Sequence, residues 1–299
     1  MRHVYECPLR WADLDLLGHV NNVVYADYLQ EARVDLMRSM LPPTAPQDAD
    51  LTEGIVVVRH DVTYLAPLLF DFRPVKIECW VTEVRAATFT MAYEIFHDVP
   101  GEGSDGAPAG STRRVYLRAS TVLAPFVFAE ERPRRLRPEE RAGLAAYVEE
   151  TAEPRPPRVA AATRDGAHRF PLHVRFSDVD VYRHVNNVKY FEYLQEARIR
   201  QMADLLRGTG VQTPGVVVAQ TDVEYREPIL LRPEPYELWS SIVRVGTRSM
   251  TITSEIADGA RSLARARVTV VFFDPESGRS TTPTPELRML LEEAVTRTS

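Results

Sequence analysis

The strongest constraint on this chain is that it says one thing twice. DLDLLGHVNN at residues 13–22 returns as DVDVYRHVNN at 178–187, and aligning 10–33 with 175–198 gives 15 identities in 24 positions without a gap. Downstream, DVTYLAPL (61–68) matches DVEYREPI (222–229) at an offset of 161, and VKIECWVTEV (75–84) shares its alternation with YELWSSIVRV (236–245). RASTVLAP (118–125) then lines up with RARVTVVF (265–272) at an offset of 147. The drop places an insertion of about a dozen residues in the first half, at the Gly/Pro/Ser-rich stretch 98–111. A period this long means a duplicated domain, because solenoid units run only ~20–50 residues. With 299 residues, each copy has enough chain to bury its own core.

Within each half the pattern reads strand, helix, then four strands. The opening strands fall at 2–9 and 168–176. Tyr25, Tyr28, Leu29, Ala32 and Leu36 recur at three- and four-residue spacing and make one apolar stripe on a helix. Tyr190, Tyr193, Leu194 and Ala197 repeat it in the second half. The period then changes to two: Val56, Val58, His60, Val62 and Tyr64 alternate with their neighbours, as do Val217, Ala219, Thr221, Val223 and Tyr225. Pro67 and Pro228 end these strands. This is an α+β pattern: in each half a largely antiparallel sheet wraps one central helix. Short helices are expected at 138–150 and 285–295, with proline in the first turn. The proline-rich segment 151–167 reads as an extended linker, giving an N-terminal domain at 1–150 and a C-terminal domain at 168–299.

Composition narrows the function classes. A formal charge of −6 argues against a nucleic-acid partner, which selects for a basic face. Only Cys7 and Cys79 are present, so no disulfide framework is suggested and a reducing compartment fits. The N-terminus lacks the apolar core of a signal peptide and no stretch of about 18 apolar residues occurs, so a soluble, cytoplasmic chain without a membrane partner is expected.

The decapeptide carries the chemistry. Each copy sets two carboxylates, one imidazole and two carboxamides ahead of a helix. Asn21, Asn22, Asn186 and Asn187 suit helix capping, and a structural role is the plain reading for the second Asn of each pair. The carboxylates are harder to assign to a cap, since one cap needs one acceptor. Asp15 stands seven residues before Asn22, and Asp180 seven before Asn187. A loop of that length can return a carboxylate to the helix N-terminus, whose unpaired N–H groups and dipole would stabilise an oxyanion. A carboxylate opposite could attack a carbonyl or deprotonate water, and beside a positive dipole end it should stay ionised at neutral pH. Such a site suits a thioester, whose thiolate leaves readily. D-x-D with a single His is a weak metal-ligand set, so no metal is expected. No G-x-S-x-G elbow, P-loop or G-x-G-x-x-G fingerprint occurs, and no cofactor is implied. Cys79 faces Ser240 in the repeat, which argues against a thiol nucleophile.

The pattern D-x-D-x-x-x-H-V-N-N-x-x-Y-x-x-Y-L followed by E-A-R resembles the hotdog-fold thioesterases of the 4-hydroxybenzoyl-CoA thioesterase type. It is especially similar to bacterial long-chain acyl-CoA thioesterases, and to plant acyl-ACP thioesterases with two hotdog domains in one chain. The resemblance implies tandem hotdogs paired within the chain, an acyl-CoA or acyl-ACP substrate lying along their apolar interface, and possible homo-oligomers of such chains. Carried over by position, the catalytic carboxylate falls on Asp15 and Asp180, and the helix-start backbone donor on Asn22 and Asn187. Asp13 and Asp178 match loop-organising positions. Asn21, Asn186, Tyr25 and Tyr190 fall beside the substrate. His19 and His184 match a catalytic histidine of the acyl-ACP enzymes, but Leu17 and Tyr182 replace that set's Asn, which leaves a structural role for each His equally open.

Other features have milder readings. His60 and Arg59 stand where the repeat has Thr221 and Gln220, and ordinary strand faces explain them as readily as a pocket lining. A structural ion-pair role is favoured for Glu31 and Glu196 in the E-A-R triplets. RPRRLRP (132–138) reads as solvated surface, with coenzyme A phosphates as the alternative. Two rival functions are a non-catalytic acyl-thioester binding module and a hotdog hydratase or dehydratase, although no H-F-P-G-type segment is present.

Overall fold

The computed structural model describes residues 1–40, 52–100, 111–149 and 157–297. Most of the expected insertion (101–110) and the start of the expected linker therefore lie outside the described residues. The chain separates into two compact units, Met1–Val56 with Val62–Glu153, and Val57–Asp61 with Pro154–Ser299.

The first unit runs β1 (His3–Cys7), α1 (Val24–Ser39), β2 (Glu53–Tyr64), β3 (Val75–Val84), β4 (Phe89–Pro100), β5 (Ser111–Val127), β6 (Arg132–Pro133) and α2 (Pro138–Ala145). Its strands lie in the order β1-β3-β4-β5-β2, and β1–β3, β3–β4 and β4–β5 pair antiparallel. The apolar stripe of α1 is buried as its spacing requires, with Leu29, Ala32 and Leu36 fully sequestered. Against it lie Val75, Ile77, Cys79 and Val81, alternate residues of β3, and the Cys79 thiol donates to Ala32 O at 3.8 Å. Each buried Leu contributes about 1.5–3 kcal/mol by leaving water, so the helix is held by its stripe more than by its own propensity.

The second unit repeats the plan with β7 (His168–Leu172), α3 (Lys189–Leu206), β8 (Gly215–Tyr225), β9 (Tyr236–Val245), β10 (Ser249–Asp258), β11 (Arg261–Asp274), β12 (Arg279–Ser280) and α4 (Pro285–Arg297). The order is β8-β11-β10-β9-β7, antiparallel throughout. Leu287 and Leu291 of α4 pack into a cluster with Ile242, Met250, Val268, Val270 and Phe272.

Several boundaries differ from the sequence expectation. The opening strands are shorter: β1 stops before Pro8, which has no N–H to donate, and single 3-10 turns start at Trp11 and Phe176. Helix α2 ends at Ala145 because the following chain is recruited by β3, with Val81 N–H donating to Tyr147 O (2.9 Å) and Glu149 N–H to Val81 O (2.8 Å). The described end of the linker is packed rather than solvated. Val159 and Ala162 are buried, and Val159 N–H donates to Glu224. Among the described residues, no helix is long and apolar enough to cross a membrane.

Candidate active site

Each decapeptide folds into a small hairpin. In the first unit Leu14 and Val20 bridge antiparallel, Asp15 N–H donates to His19 O at 2.8 Å, and Gly18 N–H returns to Asp15 O at 3.0 Å. The second unit repeats this with Val179 and Val185, Asp180 and His184 (2.9 Å), and Arg183 to Asp180 O (3.0 Å). A three-residue loop of this kind needs a left-handed residue in third place. Gly18 supplies it with φ 76° and Arg183 with φ 66°.

The two Asp residues of each copy take different work. Asp13 is buried and accepts from Arg10 N–H (3.0 Å), the Arg10 guanidinium and the Tyr28 hydroxyl (2.6 Å). Asp178 does the same with Arg175 and Tyr193 (2.7 Å). Burial pushes Asp178 up, but Arg175 and the Tyr193 hydroxyl outweigh it and hold the carboxyl below the usual range. These carboxylates tie the hairpin to the central helix. Asp15 and Asp180 are half-buried instead. Oδ1 of Asp15 accepts from Leu17 N–H (2.9 Å) and His19 N–H (3.3 Å), and Oδ1 of Asp180 from Tyr182 N–H (2.9 Å). Among the described residues both bonds to Asp15 fall on Oδ1 and none on Oδ2. Burial raises Asp180 above the ordinary carboxylate range against the pull of the Tyr182 and His184 N–H groups. That direction is opposite to the one expected from a helix dipole alone.

The helix starts correct the sequence reading of the asparagines. Helices α1 and α3 begin at Val24 and Lys189, with Val23 and Val188 in the cap position. The first Asn of each pair organises the turn. Asn21 accepts Val24 N–H on its carbonyl (3.0 Å) and Val23 N–H on Oδ1 (3.3 Å), and Asn186 accepts from Lys189 and Val188 likewise. The capping role expected of Asn22 and Asn187 thus belongs to Asn21 and Asn186. One residue of register decides it, because only the first Asn stands before a turn with free N–H groups. The second Asn presents its carbonyl to a strand tyrosine, Tyr64 to Asn22 and Tyr225 to Asn187, each at 2.9 Å. Among the described residues the Asn22 backbone N–H has no acceptor.

Tyr25 and Tyr190 are buried at the first turn of each helix, edge-on to Tyr64 and Tyr225 at 5.6 and 4.8 Å. Burial raises both phenols, and the nearby Asp15 and Asp180 carboxylates add to the shift. Each Asp thus lies within electrostatic reach of the tyrosine in the first turn of its own helix. His19 and His184 are half-buried at the closing end of each hairpin, where their backbones bridge Leu69 and Leu230.

The remaining residues singled out in the sequence are accounted for by their partners. Arg134 and Arg137 pair with Glu53, and Arg134 also with Glu140, so those charges are spent on ion pairs within the unit. Glu31 and Glu196 are exposed and make no ion pair among the described residues, which corrects the expected structural pair. It is Arg33 that is buried, beside Tyr93. Burial pushes the Cys7 and Cys79 thiols up to about 12, which suits packing rather than nucleophilic attack. Two residues went unrecognised as site neighbours, Tyr64 and Tyr225. Their matched places, each three residues before Pro67 or Pro228, were the available signal.

A long central helix backed by an antiparallel sheet, met twice, defines the hotdog fold. Two solved structures share it. A putative oleoyl thioesterase from Lactobacillus plantarum matches with a TM-score of 0.70 at 16% identity, over 91% of this chain and 96% of that one. The 12:0-ACP thioesterase from Umbellularia californica matches with a TM-score of 0.64 at 16% identity, over 90% and 95%. The thioesterase-like superfamily model matches residues 9–139 and 174–291, and the chain belongs to that superfamily. A relative within reach by sequence is the long-chain acyl-CoA thioesterase FadM of Escherichia coli (strain K12), 28% identical over 128 residues, which are 42% of this chain and 96% of that protein.

Proposed function

We propose that the chain hydrolyses acyl-CoA or acyl-ACP thioesters to free acid and thiol, with one site in each of two hotdog domains at 1–150 and 168–299. The observation that carries this reading is a half-buried carboxylate fastened through Oδ1 by loop N–H groups, in the hairpin that leads into each central helix. Membership of the thioesterase-like superfamily and the likeness to FadM support it. Buried, unpaired Cys7 and Cys79 are compatible with a reducing, cytoplasmic setting.

In this mechanism the thioester carbonyl oxygen points at the N–H of Asn22 or Asn187. Oδ2 of Asp15 or Asp180 takes a proton from water as the water oxygen bonds to the carbonyl carbon. Negative charge gathers on the former carbonyl oxygen, where the helix-start N–H groups and dipole oppose it. The C–S bond then breaks, and the proton held by Asp goes to the departing thiolate. Direct attack by Oδ2, through an anhydride that water opens, leads to the same products.

The test is release of free thiol from a panel of acyl-CoA and acyl-ACP substrates, read with a thiol-reactive dye. Turnover is expected for the wild type. Asp15→Asn with Asp180→Asn should lower it by about 10²–10⁴-fold, the usual worth of a positioned base. Wild-type silence on every thioester would refute the hydrolase reading, and an unchanged rate in the double variant would refute the mechanism alone.

A further inference from the structure

Residues Val57–Asp61 of β2 cluster with the second unit, and His60 is where they meet its helix start. The His60 ring is 0% exposed and stands edge-on to Phe191 at 5.8 Å and Tyr225 at 5.9 Å. Its Nε2 lies 3.2 Å from Asn187 Oδ1. The orientation of that amide is fixed by its other end, since Asn187 Nδ2 donates to Asn186 Oδ1 at 3.1 Å. An amide oxygen only accepts, so His60 carries its proton on Nε2. Asn186 Oδ1 also receives Val188 N–H. Two carboxamides thus couple one buried imidazole to the Val188 N–H at the start of α3, and hydrogen bonds in such a chain polarise one another. Arg59, next to His60, anchors the strand segment through Glu224 (2.7 Å) and Pro157 O (2.9 Å).

Among its described residues the first unit has no such relay. Asn21 Oδ1 accepts Val23 N–H, but among the described residues no side chain bonds to the Asn22 carboxamide. The repeat places Thr221 where His60 stands.

We propose that His60 is a positioning residue for the second site. By holding the Asn187 side chain it fixes the Asn187 backbone N–H against the thioester oxygen, so the two sites of one chain turn over at unequal rates. His60 touches no reacting atom, and the inference rests on the thioesterase reading.

The test uses full-length chains with one site silenced. In the Asp15→Asn background, His60→Ala should lower kcat by about tenfold with KM within about twofold, because a displaced oxyanion donor is felt in the transition state. His60→Gln, whose carboxamide can still donate to Asn187, should recover most of that loss. An equal loss in the Asp180→Asn background, or no recovery by Gln in a folded chain, would overturn the assignment. A separate reading comes from amide NMR, which does not need turnover. His60→Ala should shift the Asn187 Nδ2 and Val188 signals and leave Val23 in place. Unmoved Asn187 and Val188 signals would sink the relay, whereas absence of turnover in the wild type would sink only the hydrolase reading.

Discussion

At the tip of the first hairpin Gly18 takes φ 76° without steric cost, whereas Arg183 takes φ 66° at the same place in the second. A side chain there costs about 1–2 kcal/mol, because Cβ crowds the following carbonyl. The second hairpin bears that strain next to Asp180, whose carboxyl burial has raised, and below Tyr182, which is half-buried where Leu17 of the first copy is exposed. The hydrogen-bond frame is shared, residue for residue. What differs is the environment around it, which shows that a repeated motif preserves geometry while leaving the burial around it free to diverge.

The frame itself is where the largest effects are expected. Replacing Asp178 with Ala strands the Tyr193 hydroxyl and removes one of the two carboxylates on Arg175, at a cost of about 2–3 kcal/mol in urea unfolding. Asp13→Ala should cost more, since Arg175 keeps Glu192 at 2.8 Å and Arg10 keeps no other ion pair among the described residues. Equal costs would break that distinction. Next comes pH. Asp180 must be ionised to act as a base, and its pKa is raised, so in the Asp15→Asn background the acid limb of kcat/KM should sit above the ordinary Asp range. The same shift has a stability sign. A folded pKa above the unfolded one means the folded state binds the extra proton, and stability falls as pH rises through that interval. Asp180→Asn should therefore raise Tm at neutral pH and not below the ordinary Asp range, as calorimetry would show.

Smaller effects sharpen the comparison at the tips. Arg183→Gly should stabilise the chain by about 1 kcal/mol, and Gly18→Ala should destabilise it by a similar amount. If both changes were neutral, the left-handed residue would not be what holds the hairpin. Least of all, Glu31→Gln should leave Tm within about one degree, because an exposed carboxylate without a partner contributes little.

How far the molecule was legible in its sequence follows from which forces leave a local trace. The stripe from Tyr25 to Leu36 and the alternation of β3 were visible because burial imposes periods of 3.6 and 2. The separate duties of Asp13 and Asp15 were partly visible from position. The Oδ1 clasp on Leu17 and His19 was not, since an Asx-type turn has no spacing distinct from any other polar loop. The asparagine roles were misassigned by one residue because helix starts are set by hydrogen-bond register, which composition leaves undetermined. Arg33 was overlooked beside Glu31 because charge pairing in a sequence says nothing of which partner faces inward. His60 could not be placed at all from its strand pattern, since its contacts lie 127 residues away.

The clasp on Asp15 also sets a length rule. Two backbone amides hold one oxygen at a distance that a two-carbon side chain just spans, so the second oxygen has little room to swing. Glutamate is one methylene longer and would have to surrender either the loop amides or its approach to the helix start. The carboxylate is therefore set during folding, and aspartate fits this frame where the longer acid would not.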